Sequence, residues 1–210
     1  MTAAELLASD FATLPDLIRA HAAEQPDKVA LAEADGELDY ASLDALVDRV
    51  AAALQRDGVQ QGDAVAIVAA ASIDYVAIFL GALRAGCVAT PLAPSGTPDS
   101  IVAMIADCAA PITFVDAEAA SALSGHHIPG KLVHLKSLGS WLAPVGARPT
   151  PVTIAPEDGF NIIYSSGTTG VPKGIVQSHA MRWAHINRNE AAGFADAVTM
   201  IATPLYSNTT

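Results

Sequence analysis

Residues 164–174 read Tyr-Ser-Ser-Gly-Thr-Thr-Gly-Val-Pro-Lys-Gly, with the hydroxyls of Ser165, Ser166, Thr168 and Thr169 set around Gly167 and Gly170 and followed by Lys173. No packing argument calls for so much small polar surface at one place. Glycine takes the dihedrals that turn successive backbone N–H groups toward one point, and such a nest is a site for phosphate oxygens. The four hydroxyls add donors or touch a metal held by the phosphates, while Lys173 brings a positive charge on a long stem. Pro172 stiffens the exit toward the next element. The common nucleotide-triphosphatase loop needs glycine directly before its lysine and Ser or Thr directly after it, opening a helix. Here Pro172 precedes Lys173, Gly174 follows it, and the downstream segment reads as a strand. A hairpin loop with glycine for flexibility is the plainer alternative. Four hydroxyl residues together with Pro-Lys-Gly argue against it without saying which phosphate compound binds.

A strand at Phe160 to Tyr164 has to deliver that loop, residues 165–173 form it, a second strand from Gly174 to Gln177 receives it, and a helix follows from His179 to Ala192. Upstream, Thr13 caps a helix carrying Leu14, Leu17 and Ile18, which Gln25-Pro26 ends. Val29 to Ala34 and Glu37 to Tyr40 form a hairpin turned at Asp35-Gly36, a dipeptide tolerant of positive φ. Leu43, Leu46, Val47, Val50, Ala53 and Leu54 keep helical spacing, with Gly58 as the C-terminal stop. Ala64 to Ala69 is a continuous apolar run suited to a strand covered on both faces. A helix at Ile73 to Ala85, a strand at Cys87 to Leu92, a helix at Pro98 to Asp107 and strands at Ile112 to Val115 and Lys131 to Leu135 follow. This alternation predicts an α/β fold, a mostly parallel sheet with crossover helices. Pro144, Pro149, Pro151 and Pro156 break regular structure, so the chain divides into an α/β portion at 1–143, a Pro-rich linker at 144–158 and a phosphate-loop portion at 159–210.

The 210 residues are 51% hydrophobic and 16% charged, which excludes global disorder. A net charge of -11 repels a polyphosphate backbone and an anionic bilayer, so no nucleic-acid partner is expected. Ser72 and Asp74 interrupt the most apolar stretch, leaving no transmembrane segment. Cys87 and Cys108 are the only cysteines and read as free core thiols; with no secretion signal, they suit the cytoplasm. His126-His127 lie in a loop with side chains facing opposite ways, a poor metal site. His179 and His185 do not share a helix face, Glu157-Asp158 read as a solvated pair, and Trp183 reads as packing its helix on the sheet. The abrupt apolar end, Val198 to Ala202 and then 204–210, reads as that of a fragment. The composition does not set the oligomeric state.

Residues 164–174 resemble the signature loop of the adenylate-forming (AMP-binding) superfamily, which includes acyl-CoA synthetases and the adenylation domains of peptide synthetases. KVALAEADGELDYASLDALVDRVAAAL and GALRAGCVATPLAPSGTPDSIVAMIADCAAPITFVD resemble the family's opening hairpin and helix and its next strand-helix-strand segment. The resemblance runs from about Leu14 to the last residue and implies the N-terminal part of the large domain of such an enzyme. It implies that a small-molecule carboxylic acid, fatty or aromatic, attacks the α-phosphate of ATP, that pyrophosphate leaves, and that the thiol of CoA then takes the acyl group. It places the β and γ phosphates of ATP on Ser165, Ser166, Gly167, Thr168, Thr169, Gly170 and Lys173, with the Ser165 hydroxyl near Mg²⁺. It also places Tyr206, Ser207 and Asn208 in the acyl pocket and thiol approach. Many members have histidine where this chain has Ser207, and serine can neither carry that charge nor fill that gate. The family's downstream acidic, ribose-binding, hinge and lysine motifs would lie beyond residue 210. No catalytic residue is therefore assigned within this chain, which by itself is expected to be inactive. A noncatalytic nucleotide-binding or scaffold module, and an adenylation domain loading a carrier protein, are the alternatives.

Overall fold

The computed structural model describes residues 1–165, 172–190 and 197–207, with the side chains of 189 and 190 excepted. Two capped helices open the chain. Thr2 and Glu5 form a capping box around α1 (Ala3–Leu7), a helix too short to show a period in the sequence. Thr13 and Asp16 do the same for α2 (Leu14–Glu24), the Thr13 hydroxyl donating to Asp16 Oδ2 at 2.6 Å. A two-stranded antiparallel hairpin follows, β1 (Val29–Glu33) and β2 (Gly36–Asp39). Its turn differs from expectation. Glu33 pairs with Gly36, so the loop is Ala34-Asp35, and no residue of the turn takes a positive φ. Burial sets this register: Leu31 faces Leu38, and both pack with Leu43, Val47 and Leu80.

Three longer helices end alike. In α3 (Tyr40–Arg56) the Val59 N–H reaches Leu54 O (3.1 Å) and the Gly58 N–H reaches Gln55 O (3.0 Å), with Gly58 at φ +85°. This pair of bonds is a Schellman stop, which satisfies terminal carbonyls and turns the chain out of the helix. The same stop closes α4 (Ile73–Arg84) at Gly86, φ +74°, and α5 (Pro98–Asp107) at Ala109, φ +50°.

After each stop the chain enters the sheet, at β3 (Ala64–Val68), β4 (Val88–Leu92) and β5 (Ile112–Val115). With β6 (Lys131–His134), β7 (Gly159–Ser165) and β8 (Lys173–Ser178) they form one six-stranded sheet in the order β6-β5-β3-β4-β7-β8. All neighbouring pairs are parallel except β7–β8. β3 is buried throughout because it serves two cores in alternation. Val65 and Ile67 pack on one side with Val50, Leu54, Ile78 and Phe114, whereas Ala64, Ala66 and Val68 pack on the other with Ile101, Ile105 and Leu123. Each large side chain fully buried in this way contributes about 1.5–3 kcal/mol of transfer free energy.

Two short helices, α6 (Ala117–Ala122) and α7 (Leu138–Trp141), complete the layers and have no counterpart in the sequence reading. The Trp141 indole N–H and Lys131 Nζ both donate to Asp57 Oδ2, at 2.7 and 2.6 Å, tying the end of α3 to β6 and α7. Burial alone would raise the Asp57 carboxyl, but donors from Lys131, Arg56 and Trp141 together hold it below its ordinary value. Residues 144–158 contain no helix or strand. They lie against the helical layer: the Gln55 side chain both donates to Thr150 O (2.9 Å) and accepts from Thr150 N (2.8 Å), and Gln61 Nε2 donates to Thr153 O (2.8 Å).

The last helix, α8 (His179–Glu190), does not dock as anticipated. Trp183 is buried among Ala3, Leu6, Ala12, Leu17 and Ala20, so it packs on the N-terminal helices, while His179 at the start of the same helix meets Phe160 of β7. None of the helices in the described residues is long and apolar enough to cross a membrane.

Candidate functional site

The hairpin that carries the Ser/Thr/Gly loop is built by β7 and β8. Phe160, Asn161 and Ile163 bury β7 in the sheet, and Ala89 of β4 pairs with Asn161. On the other side β7 pairs antiparallel with β8, Ile163 opposite Ile175, Tyr164 opposite Gly174 and Ser165 opposite Lys173. The strands therefore run one residue further at each end than the sequence suggested. Ser165 closes β7 and Lys173 opens β8, so they stand as partners across the neck of the loop. Both are exposed. Ser166, Gly167, Thr168, Thr169 and Gly170 lie outside the described residues.

Tyr164 is a residue the sequence reading passed over. Its hydroxyl donates to Asp107 Oδ2 at 2.6 Å and lies 3.1 Å from Met104 O, both at the C-terminal end of α5. Burial, then the contact with Asp107, raises its phenol well above the ordinary value. Its ring lies over β8: a Cβ added at Gly174 would sit 3.1 Å from Tyr164 Cζ and 3.0 Å from Ile162 Cγ2. The only signal in the sequence was an aromatic residue directly before a hydroxyl-rich loop.

The other predicted pocket residues are placed elsewhere. Pro204 to Ser207 form a turn closed by the Ser207 N–H on Pro204 O at 3.0 Å, and Tyr206 and Ser207 are half-buried. Leu205 packs on the α3–α4 core cluster, whereas Ile162 and Tyr164 pack on the α5 cluster. The turn is thus anchored to the sheet face opposite the one that anchors the loop. Tyr75, in that first cluster, has its phenol raised by burial and by Tyr206. Asn208 lies outside the described residues.

Ser165 and Lys173 fit an anion at the neck, since one offers a hydroxyl and the other an ammonium group. Among the described residues of the loop, Ser165 would offer a Mg²⁺ ion one side-chain oxygen. Among the described residues there is no group of three or more His, Cys, Asp or Glu able to hold a metal. Magnesium bound beside phosphates commonly keeps phosphate oxygens and water among its ligands. His126 faces Asp99 at 3.4 Å. Asp158 is not a solvated acid: it is half-buried, and its Oδ2 accepts the Ala155 N–H at 2.9 Å. Burial and Asp63 push the Cys87 thiol up to about 12, and burial likewise raises Cys108, so neither is an activated nucleophile. Two cavities of about 480 and 550 Å³ share Arg19, Asp48 and Arg148, and no residue of β7 or β8 lines either.

The chain is thus an α/β protein whose mostly parallel sheet ends in an antiparallel hairpin, with Ser165 and Lys173 across the neck of a glycine-rich loop. Residues 18–209 match the AMP-binding enzyme family, and the chain belongs to that family. It is 30% identical over 176 residues to the hybrid PKS-NRPS synthetase gkaA of Penicillium citrinum, a match covering 83% of this chain and 4% of that protein. It is 28% identical over 172 residues to the long-chain-fatty-acid--CoA ligase FadD13 of Mycobacterium tuberculosis, covering 78% of this chain and 34% of the ligase. Its fold is similar to the solved N-terminal domain of FACL13 from Mycobacterium tuberculosis, with a TM-score of 0.79, 24% identity, and coverage of 93% of this chain and 52% of that one. The chain thus spans about half of that solved domain, about a third of the ligase and a small fraction of the synthetase.

Proposed function

We propose that this chain is the N-terminal, phosphate-loop portion of an ATP-dependent acid-thiol ligase, which activates a carboxylic acid as its acyl-adenylate and passes the acyl group to CoA. The observation that carries the reading is the pairing of Ser165 with Lys173 at the mouth of the loop, in a chain whose residues 18–209 match the AMP-binding family. In this reading the Ser165 hydroxyl, the Ser166, Thr168 and Thr169 side chains and the backbone N–H groups through Gly170 hold the β and γ phosphates. They would stabilise the departing pyrophosphate by donating hydrogen bonds to its developing charge. Lys173 adds a positive charge from the facing strand. A bound Mg²⁺, touching Ser165, would supply further charge neutralisation. Tyr206, Ser207 and Asn208 border the acyl pocket, and the enzyme works in the cytoplasm.

The likeness to FadD13 supports CoA as acceptor, and the likeness to a PKS-NRPS synthetase supports a carrier-protein thiol as the second reading. Acid-dependent exchange of labelled pyrophosphate into ATP, assayed on the protein that contains this chain, tests adenylation. Exchange with no acid from a fatty, aromatic and amino-acid panel above background rejects it. Release of acyl-CoA against loading of a carrier protein then separates the two acceptors. Replacing Ser165 with Ala and Lys173 with Met should each lower exchange by about tenfold or more, the usual effect of losing one transition-state donor.

A further inference from the structure

We propose that Tyr164 is a positioning residue that pins both stems of the loop to α5, and so fixes the directions in which Ser165 and Lys173 leave the neck. The proposal rests on the reading of this loop as a phosphate site. One planar side chain makes the connection. At its tip the hydroxyl donates to Asp107 Oδ2 (2.6 Å) and approaches Met104 O (3.1 Å). Along its face the ring covers Gly174, where a Cβ would meet Cζ at 3.1 Å. A side chain at 174 would crowd both the Tyr164 ring and Ile162 Cγ2, so glycine there lets the ring lie close to β8.

The anchor is stiffer than the hairpin it holds. Asp107 ends a helix whose Ile101 and Ile105 are fully buried against β3 and β5 neighbours. β8, in contrast, is an edge strand that pairs with β7 alone and is exposed from Lys173 to Val176. A two-stranded ribbon is marginal by itself and twists readily. A phenol donating to a carboxylate is among the stronger hydrogen bonds, and here it spans 57 positions of sequence. Twist or fraying at Tyr164–Gly174 would move Ser165 and Lys173 first, since they are the next pair out.

The test uses hydrogen exchange across residues 161–178 and the affinity of the same protein for magnesium pyrophosphate. Tyr164→Phe, which removes only the hydroxyl, should speed exchange in 161–178 by about tenfold or more. Exchange in β3 and β5 should stay as in the unaltered protein. Asp107→Ala and Gly174→Ala should behave alike, while Asp107→Asn, which keeps an acceptor, should restore most of the protection. Pyrophosphate affinity should fall by about tenfold in Tyr164→Phe and recover in Asp107→Asn. Unaltered exchange in Tyr164→Phe overturns the clamp. Faster exchange with full pyrophosphate affinity overturns its positioning role. If the unaltered protein itself fails to bind pyrophosphate, the phosphate reading falls and takes the positioning role with it, while the exchange result still decides whether the clamp exists.

Discussion

Ala109 is the one non-glycine among the described residues with a positive φ, +50°, and it occupies the place that Gly58 and Gly86 hold after α3 and α4. An L-residue with a Cβ pays about 1–2 kcal/mol in that region, whereas glycine pays mainly a larger entropy loss on folding. Ala109→Gly should therefore stabilise the protein by about 0.5–1 kcal/mol, read as a higher urea midpoint with an unchanged slope. A lower midpoint would show that the left-handed strain is relieved in some other way. Residue types were the most legible feature of the chain, because Thr13, Gly58 and Pro98 act on backbone within a few positions of themselves. Partners were not legible. Trp183 was plainly a core residue, yet only packing could place it against Leu6 and Leu17.

Among elements, the α2–α3–α4 layer is joined by one arginine. Arg84, its side chain 4% exposed, pairs with Asp44 at 2.6 Å and Asp48 at 2.8 Å and donates to Pro15 O of α2 at 3.1 Å. A guanidinium serves here because its fixed fork, extending from α4, reaches α2 and α3 at once. Arg84→Met leaves Asp44 partly buried without its cation and Asp48 with only the more exposed Arg19 at 3.2 Å, and should cost about 3 kcal/mol. Arg84→Lys should recover only part of that loss, because an ammonium cannot bridge to α2 in the same plane. Denaturation midpoints of the two variants decide it, and a neutral Arg84→Met would reject the account. The helices themselves were visible from spacing, and those at 40–56, 73–84 and 98–107 carry caps or stops close to where the sequence put them. α1, α6 and α7 were not visible, because fewer than two turns display no period.

For the molecule as a whole, α8 returns to the N-terminal helices, and His179 stands where it leaves the sheet. His179 is 3% exposed, packs edge-on to Phe160 with ring centroids 5.2 Å apart, and faces Asp158 and Asp16. Burial lowers its pKa despite the raising influence of those two acids. Half-buried His21 of α2 is lowered in the same direction, again chiefly by burial. For a histidine depressed by folding, the unfolded chain binds the proton more readily. The contribution to stability is then complete above the unfolded value near 6.5 and is lost as pH falls through the lower folded value. The urea midpoint should consequently decline on acidification below about pH 6.5, and His179→Phe, which keeps the aromatic contact, should flatten that decline while His21 retains its share. An unchanged slope in His179→Phe would remove His179 as the cause.

The sequence alone determined the alternation of strands and helices, most helix ends and the composition of the Ser/Thr/Gly loop, because capping, periodicity and glycine dihedrals are decided among near neighbours. The order of strands, the antiparallel turn of β8 beside β7, the hold of Tyr164 on Asp107 and the burial of Trp183 under α1 and α2 came only with the folded chain. Each of these depends on which distant surfaces exclude water together, and no local pattern encodes that choice.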